Sequence, residues 1–119
     1  MDQDADPAQA ARTQLERTVD RVRAMGLARL EASFEPEPTR AEAVRRAAQR
    51  LADLAAALED EPVRPVPVLA VHAVGDQLAV CGHDLLDAAA GPAATDRAEA
   101  ARAALVEAAD VLLDLRRRL

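Results

Sequence analysis

Apolar residues recur at every third or fourth position in four separate stretches of this 119-residue chain, and proline or glycine–proline breaks divide the stretches. The first stretch runs Ala8, Ala11, Leu15, Val19, Val22, Gly26, Leu30, and the second Val44, Ala48, Leu51, Ala55, Leu58. The third runs Val71, Gly75, Leu78, Gly82, Leu85, Ala89, and the fourth Ala98, Ala101, Leu105, Ala108, Leu112, Leu115, Leu119. Steps of three and four place side chains on one face of an α-helix. Glu35-Pro36-Glu37-Pro38, Pro62-Val63-Arg64-Pro65-Val66-Pro67 and Gly91-Pro92 stop each run, because residues before proline avoid the helical region. The pattern predicts an all-α, single-domain four-helix bundle of the up-down type. Its helices span about 7–33, 40–60, 67–90 and 96–118, with a Pro-rich linker between the second and third.

The helix ends carry their own signals. Asp6 suits an N-cap and Pro7 the first helical position. Thr39-Arg40-Ala41-Glu42 reads as a capping box, with Glu42 also placed to pair with Arg45 or Arg46, and Arg50 with Asp53. Thr95 or Asp96 is expected to cap the last helix, and Arg116, Arg117 and Arg118 complement the negative end of its dipole. The third stretch also permits a hairpin, with Val68–Val74 and Gln77–Cys81 flanking a Gly75-Asp76 turn. The helix is the preferred reading, since the heptad passes both glycines without a slip and an isolated hairpin has no sheet to join.

Composition sharpens the picture. Alanine supplies 30 residues, against 15 Leu, 11 Val and a single aromatic, Phe34. Such a set fills a narrow core, so residual apolar stripe is expected to be covered by self-association, most simply in a homodimer. Val71, Gly75, Leu78, Gly82, Leu85, Leu105, Leu112 and Leu115 are the expected packing and interface positions, the glycines allowing helix axes to approach closely. All 15 basic residues are Arg, and Ile, Asn, Tyr, Trp and Lys are missing, the pattern of a GC-rich genome.

The same features exclude several functions. No apolar stretch is long enough for a membrane span. The acidic opening Met1–Asp6 is unlike the basic start of a signal peptide, which favours a cytoplasmic protein. One cysteine, Cys81, allows no intrachain disulfide and reads as a small buried hydrophobe. A net charge of −6 and the lack of stacking aromatics argue against nucleic acid. There is no phosphate-cradling glycine loop, no acid–base–nucleophile constellation, and no cofactor is expected.

One polar group invites chemistry. On a continuous third helix, His72, Asp76, His83 and Asp87 fall within an arc of roughly 60°. Each His–Asp pair is spaced i, i+4, as a metal site or an acid–base pair requires. The two pairs stand about 16 Å apart along the axis, too far to share one ion, so a further carboxylate from Glu99, Glu107 or Asp110 would be needed. The competing explanation is a solvated helix face. Val71-His72-Ala73-Val74-Gly75 also resembles, over these few residues, the phospho-accepting helix of histidine phosphotransfer domains, which implies a phospho-acceptor at His72. The family's lysine is absent here, and Asp76 would repel a phosphoryl group. The sequence therefore favours a non-catalytic, self-associating interaction or assembly module, with another protein as the other possible partner. A metal- or small-ligand-binding bundle built on the His72/Asp76/His83/Asp87 face is the alternative, and the phospho-acceptor is the weaker one.

Overall fold

The computed structural model describes residues 6–119, so the acidic opening before Asp6 lies outside the described residues. The fold is all-α, with five α-helices: α1 (Pro7–Arg23), α2 (Leu27–Glu31), α3 (Arg40–Leu58), α4 (Val74–Ala90) and α5 (Ala98–Arg118). Short 3₁₀ segments at Val71–Ala73 and Pro92–Arg97 lead into α4 and α5. The described residues contain no strand, only one isolated bridge between Ser33 and Thr39, so the hairpin at 68–81 does not form.

Local chemistry explains where the boundaries fall. Asp6 caps α1, its carboxylate accepting from the Ala8 N–H at 3.0 Å, with Pro7 opening the helix. The expected first helix is divided: Gly26, in extended backbone, becomes the N-cap of the five-residue α2. Glycine carries the largest backbone-entropy cost in a helix, which makes it the place to break. Thr39 caps α3 through the Glu42 N–H at 3.1 Å. The reciprocal half of the expected box is absent, because Glu42 turns its carboxylate to Arg45 and Arg46. Arg50 pairs with Glu107 of α5 rather than with Asp53, which accepts from Gln49 instead. The third helix begins later than expected, at Val74. The fourth begins at Ala98 without a side-chain cap, because Pro92–Arg97 takes the tighter 3₁₀ path.

Contacts fix the helix directions. Gly82 lies against Leu15 and Gly75 against Val22 and Arg23, so α1 and α4 run antiparallel. The Thr18 hydroxyl lies 3.2 Å from the Leu112 carbonyl, and Pro7 lies by Ala101 and Leu105, so α1 and α5 run parallel. Arg50 meets Glu107 while Arg97 reaches the Ala57 carbonyl, so α3 opposes α5. It follows that α3 and α4 are parallel, and simple up-down alternation fails at that one connection. The physical cause is the proline segment. At about 3.1 Å per residue, an extended Pro-rich strand of a dozen residues covers the length of a 19-residue helix. A left-handed residue starts the return. Asp60 has φ 56°, the Glu61 N–H donates to the Ala56 carbonyl at 2.8 Å, and the Asp60 N–H donates to Ala57 at 3.3 Å. This is a Schellman motif with Asp in the usual glycine position.

One buried cluster joins all five helices, built on Leu15, Val22, Val44, Leu51, Leu78, Leu85, Leu112 and Leu115. At the end where α1 and α5 finish and α3 begins, Arg118 holds Glu37 at 2.9 Å, and Arg118 and Arg40 both lie over the Phe34 ring. Arg118 thus ties the α2–α3 loop to α5 and does more than complement a helix dipole.

Candidate functional site

The expected packing positions are occupied within this chain. Gly75, Leu78, Gly82, Leu85, Leu105, Leu112 and Leu115 are buried and Val71 is half-buried. Their partners are neighbouring helices of the same chain. A Cβ on Gly82 would stand 2.4 Å from Leu15 Cδ1 and 3.0 Å from its Cγ, and one on Gly75 would meet Arg23 Cγ at 3.1 Å. Neither glycine has positive φ, so space and not backbone freedom is what each supplies. Thr18 marks the neighbouring seam between α1 and α5. It is fully buried, and its hydroxyl donates to the Gln14 carbonyl at 2.7 Å. The spacing alone does not single it out, although its place beside Val19 on the apolar face is the available signal.

The four polar candidates do not come together. His72 lies on the 3₁₀ turn, exposed beside a hollow lined by Val22, Met25, Leu30 and Asp76. Asp76 is held by Arg23, whose Nη2 donates at 2.7 Å and Nε at 3.1 Å. His83 opens on a different hollow along α1, with Glu16, Asp20 and Arg23. Asp87 lines a groove with Cys81 and Asp84. Glu107, a candidate further ligand, is taken by Arg50, while Glu99 and Asp110 are exposed on α5. Among the described residues, no three of His, Cys, Asp and Glu are placed to hold one metal ion. Cys81 is buried, and burial together with the negative charge of Asp84 pushes its thiol pKa up. That is the environment of an inert thiol, not of a thiolate nucleophile.

The more distinctive surface is the returning strap, residues 61–70. It runs alongside α3 and α4, and an open hollow separates part of it from Ala52, Ala55 and Cys81. Two glutamine side chains hold its backbone. Gln49 acts as a substitute strand: its Nε2 donates to the Arg64 carbonyl at 3.0 Å and its Oε1 accepts from the Val66 N–H at 2.8 Å. Buried Gln77 donates from Nε2 to the Pro67 carbonyl at 2.7 Å. Val66 is half-buried beneath the strap, but Val68 is 82% exposed, Val63 60% and Leu69 42%. On α4, Val80, one turn beyond Gln77, is also 60% exposed. The sequence pattern gives no role to Gln49 or Gln77. Glutamine on a helix has too many possible partners for its spacing to reveal one.

Comparison with protein-family models, with curated proteins and with solved structures finds no match to this chain. Among the described residues, no helix is long and apolar enough to cross a membrane.

Proposed function

We propose that this chain is a non-catalytic interaction module, a single-domain four-helix-bundle scaffold that displays its returning strap and the outer face of α4. The observation that supports this reading is the group of large apolar side chains left exposed on the strap and α4: Val63, Val68, Leu69 and Val80. The heptad stripes are consumed by intrachain packing, so a second copy would use other residues, and Val68, Leu69 and Val80 are apolar side chains left exposed on the strap and α4. A homodimer that covers them buries apolar surface worth roughly 25 cal/mol per Å² before association entropy opposes it. The exposed acids around the strap, Glu59, Asp60, Glu61 and Asp84, form a rim that sets register more than affinity.

Native mass spectrometry of the full chain tests the proposal. The expected result is a dimer without retained mass, converted to monomer by Val68→Asp combined with Val80→Asp while helix content is unchanged. A monomer at all concentrations, or a dimer indifferent to both substitutions, would overturn it.

A further inference from the structure

We infer that the segment Pro62–Pro67 is a recognition element for a second protein, one that presents an aromatic-lined groove of the kind that reads polyproline II helices. The argument begins with backbone restriction. Pro62, Pro65 and Pro67 have φ fixed near −65° by their rings. Glu61, Arg64 and Val66 each precede a proline and are confined to extended backbone. Within Pro62–Pro67 only Val63 escapes both restrictions, so the segment is extended before any partner arrives. Ala70, at the far end of the strap, continues the trend with φ −56° and ψ 147°.

A polyproline II helix has three residues per turn and therefore three edges. Val66 turns inward, since it is half-buried and its N–H is held by Gln49, while Val63 on the same edge stays exposed. Pro62 with Pro65 and Arg64 with Pro67, on the other two edges, are exposed and border the open hollow beside α3 and α4. Proline pairs spaced i, i+3 are what aromatic-lined grooves accept, with affinity favoured by the low entropy of a preformed helix. The clamps from Gln49 and Gln77 extend that preorganisation by anchoring the segment to a rigid scaffold.

Charge specifies the partner further. Arg64 is the one charged residue within Pro62–Pro67 and is exposed, so the groove should carry a carboxylate beside its aromatic rings. Exposed Glu59, Asp60 and Glu61 precede the segment, so a basic residue is expected at the end of the groove that meets them. A second copy of this chain does not qualify. Its single aromatic ring, Phe34, lies beneath two guanidinium groups, with Arg40 4.9 Å and Arg118 5.3 Å from the ring centre.

The test uses the full chain against immobilised SH3, WW and EVH1 domains, which all read polyproline II with aromatic grooves. At least one is expected to bind at a chain concentration of about 1 mM or below. Pro62→Ala with Pro65→Ala should weaken that binding at least about tenfold. Arg64→Glu, which keeps every proline and the backbone bonds to Gln49, should weaken it in the same direction with unchanged circular dichroism. Binding to none of the three domains overturns the inference, as does binding indifferent to both variants. Either failure leaves self-association through Val68 and Val80 standing, because that is read separately by subunit number.

Discussion

Helix α4 is held on its two flanks by different means. Toward α1 it presents glycines, and Leu15 and Val22 fill the space where side chains would have stood. Toward the strap it presents Gln77, which together with Gln49 of α3 secures the strap backbone by amide hydrogen bonds, while α3 itself packs closely along α4. The first flank depends on volume, which is unforgiving because interiors are close-packed. The second depends on a few polar tethers, each with a net contribution of only about 1 kcal/mol. A flank of the first kind fixes the fold. A flank of the second kind keeps a segment in place while leaving its outer edges open to solvent.

The packed flank is most sensitive at Gly82. Gly82→Val would push a branched side chain into Leu15 and is expected to destabilise by about 2–3 kcal/mol in urea unfolding. Adding Leu15→Ala should recover part of that loss, so the pair is expected to be clearly non-additive. If the two effects simply add, the seam is not limited by space.

On the other flank, Gln49→Ala removes a donor and an acceptor together and should cost about 1–2 kcal/mol. The more specific outcome is local: hydrogen exchange at the Val66 amide should accelerate while amides in α1 and α4 keep their protection. Equal acceleration everywhere would mean that the strap is part of the cooperative core.

The smallest expected effect is electrostatic and sets the scale for the other two. Arg118 donates to Glu37 and lowers its carboxyl pKa below the ordinary value, against a smaller opposing effect of burial. A carboxylate with a depressed folded-state pKa contributes fully above its unfolded value, about 4.3, and loses that contribution as pH falls from there through its lower folded-state pKa. Wild type should therefore exceed Glu37→Gln by about 1 kcal/mol at pH 7, and the gap should shrink once pH falls below about 4.3. Glu42, lowered chiefly by its hydrogen bond from Arg45, works in the same direction.

The sequence revealed which residues turn inward far better than which helix they turn toward. The steps through Leu15, Leu51, Leu85 and Leu112 identify buried positions, and all four are buried. Thr39 announces a cap, and Asp6 with Pro7 announces a start. Direction is another matter. A heptad stripe is the same whether its neighbour runs parallel or antiparallel, so the return of the strap depends on its length and on Asp60, not on any period. The polar candidates were misplaced for a related reason. An arc holding His72, Asp76, His83 and Asp87 presumes one continuous helix, yet His72 lies on a tighter 3₁₀ turn ahead of it. Arg23, 53 residues away in sequence, draws Asp76 to α1, a contact that no local spacing encodes.

The parallel pairing of α1 with α5 has a consequence for synthesis. Thr18 and the Leu112 carbonyl lie 3.2 Å apart in space but 94 residues apart in sequence. Contacts of such separation slow folding, because a long loop must close before they form. On the ribosome, the apolar face of α1 that α5 covers stays open while the strap and α4 are made, and it is sealed only when α5 emerges. The nascent chain thus passes through a long interval in which its first helix is sticky, and a chaperone that shields exposed apolar helices would find its binding site there.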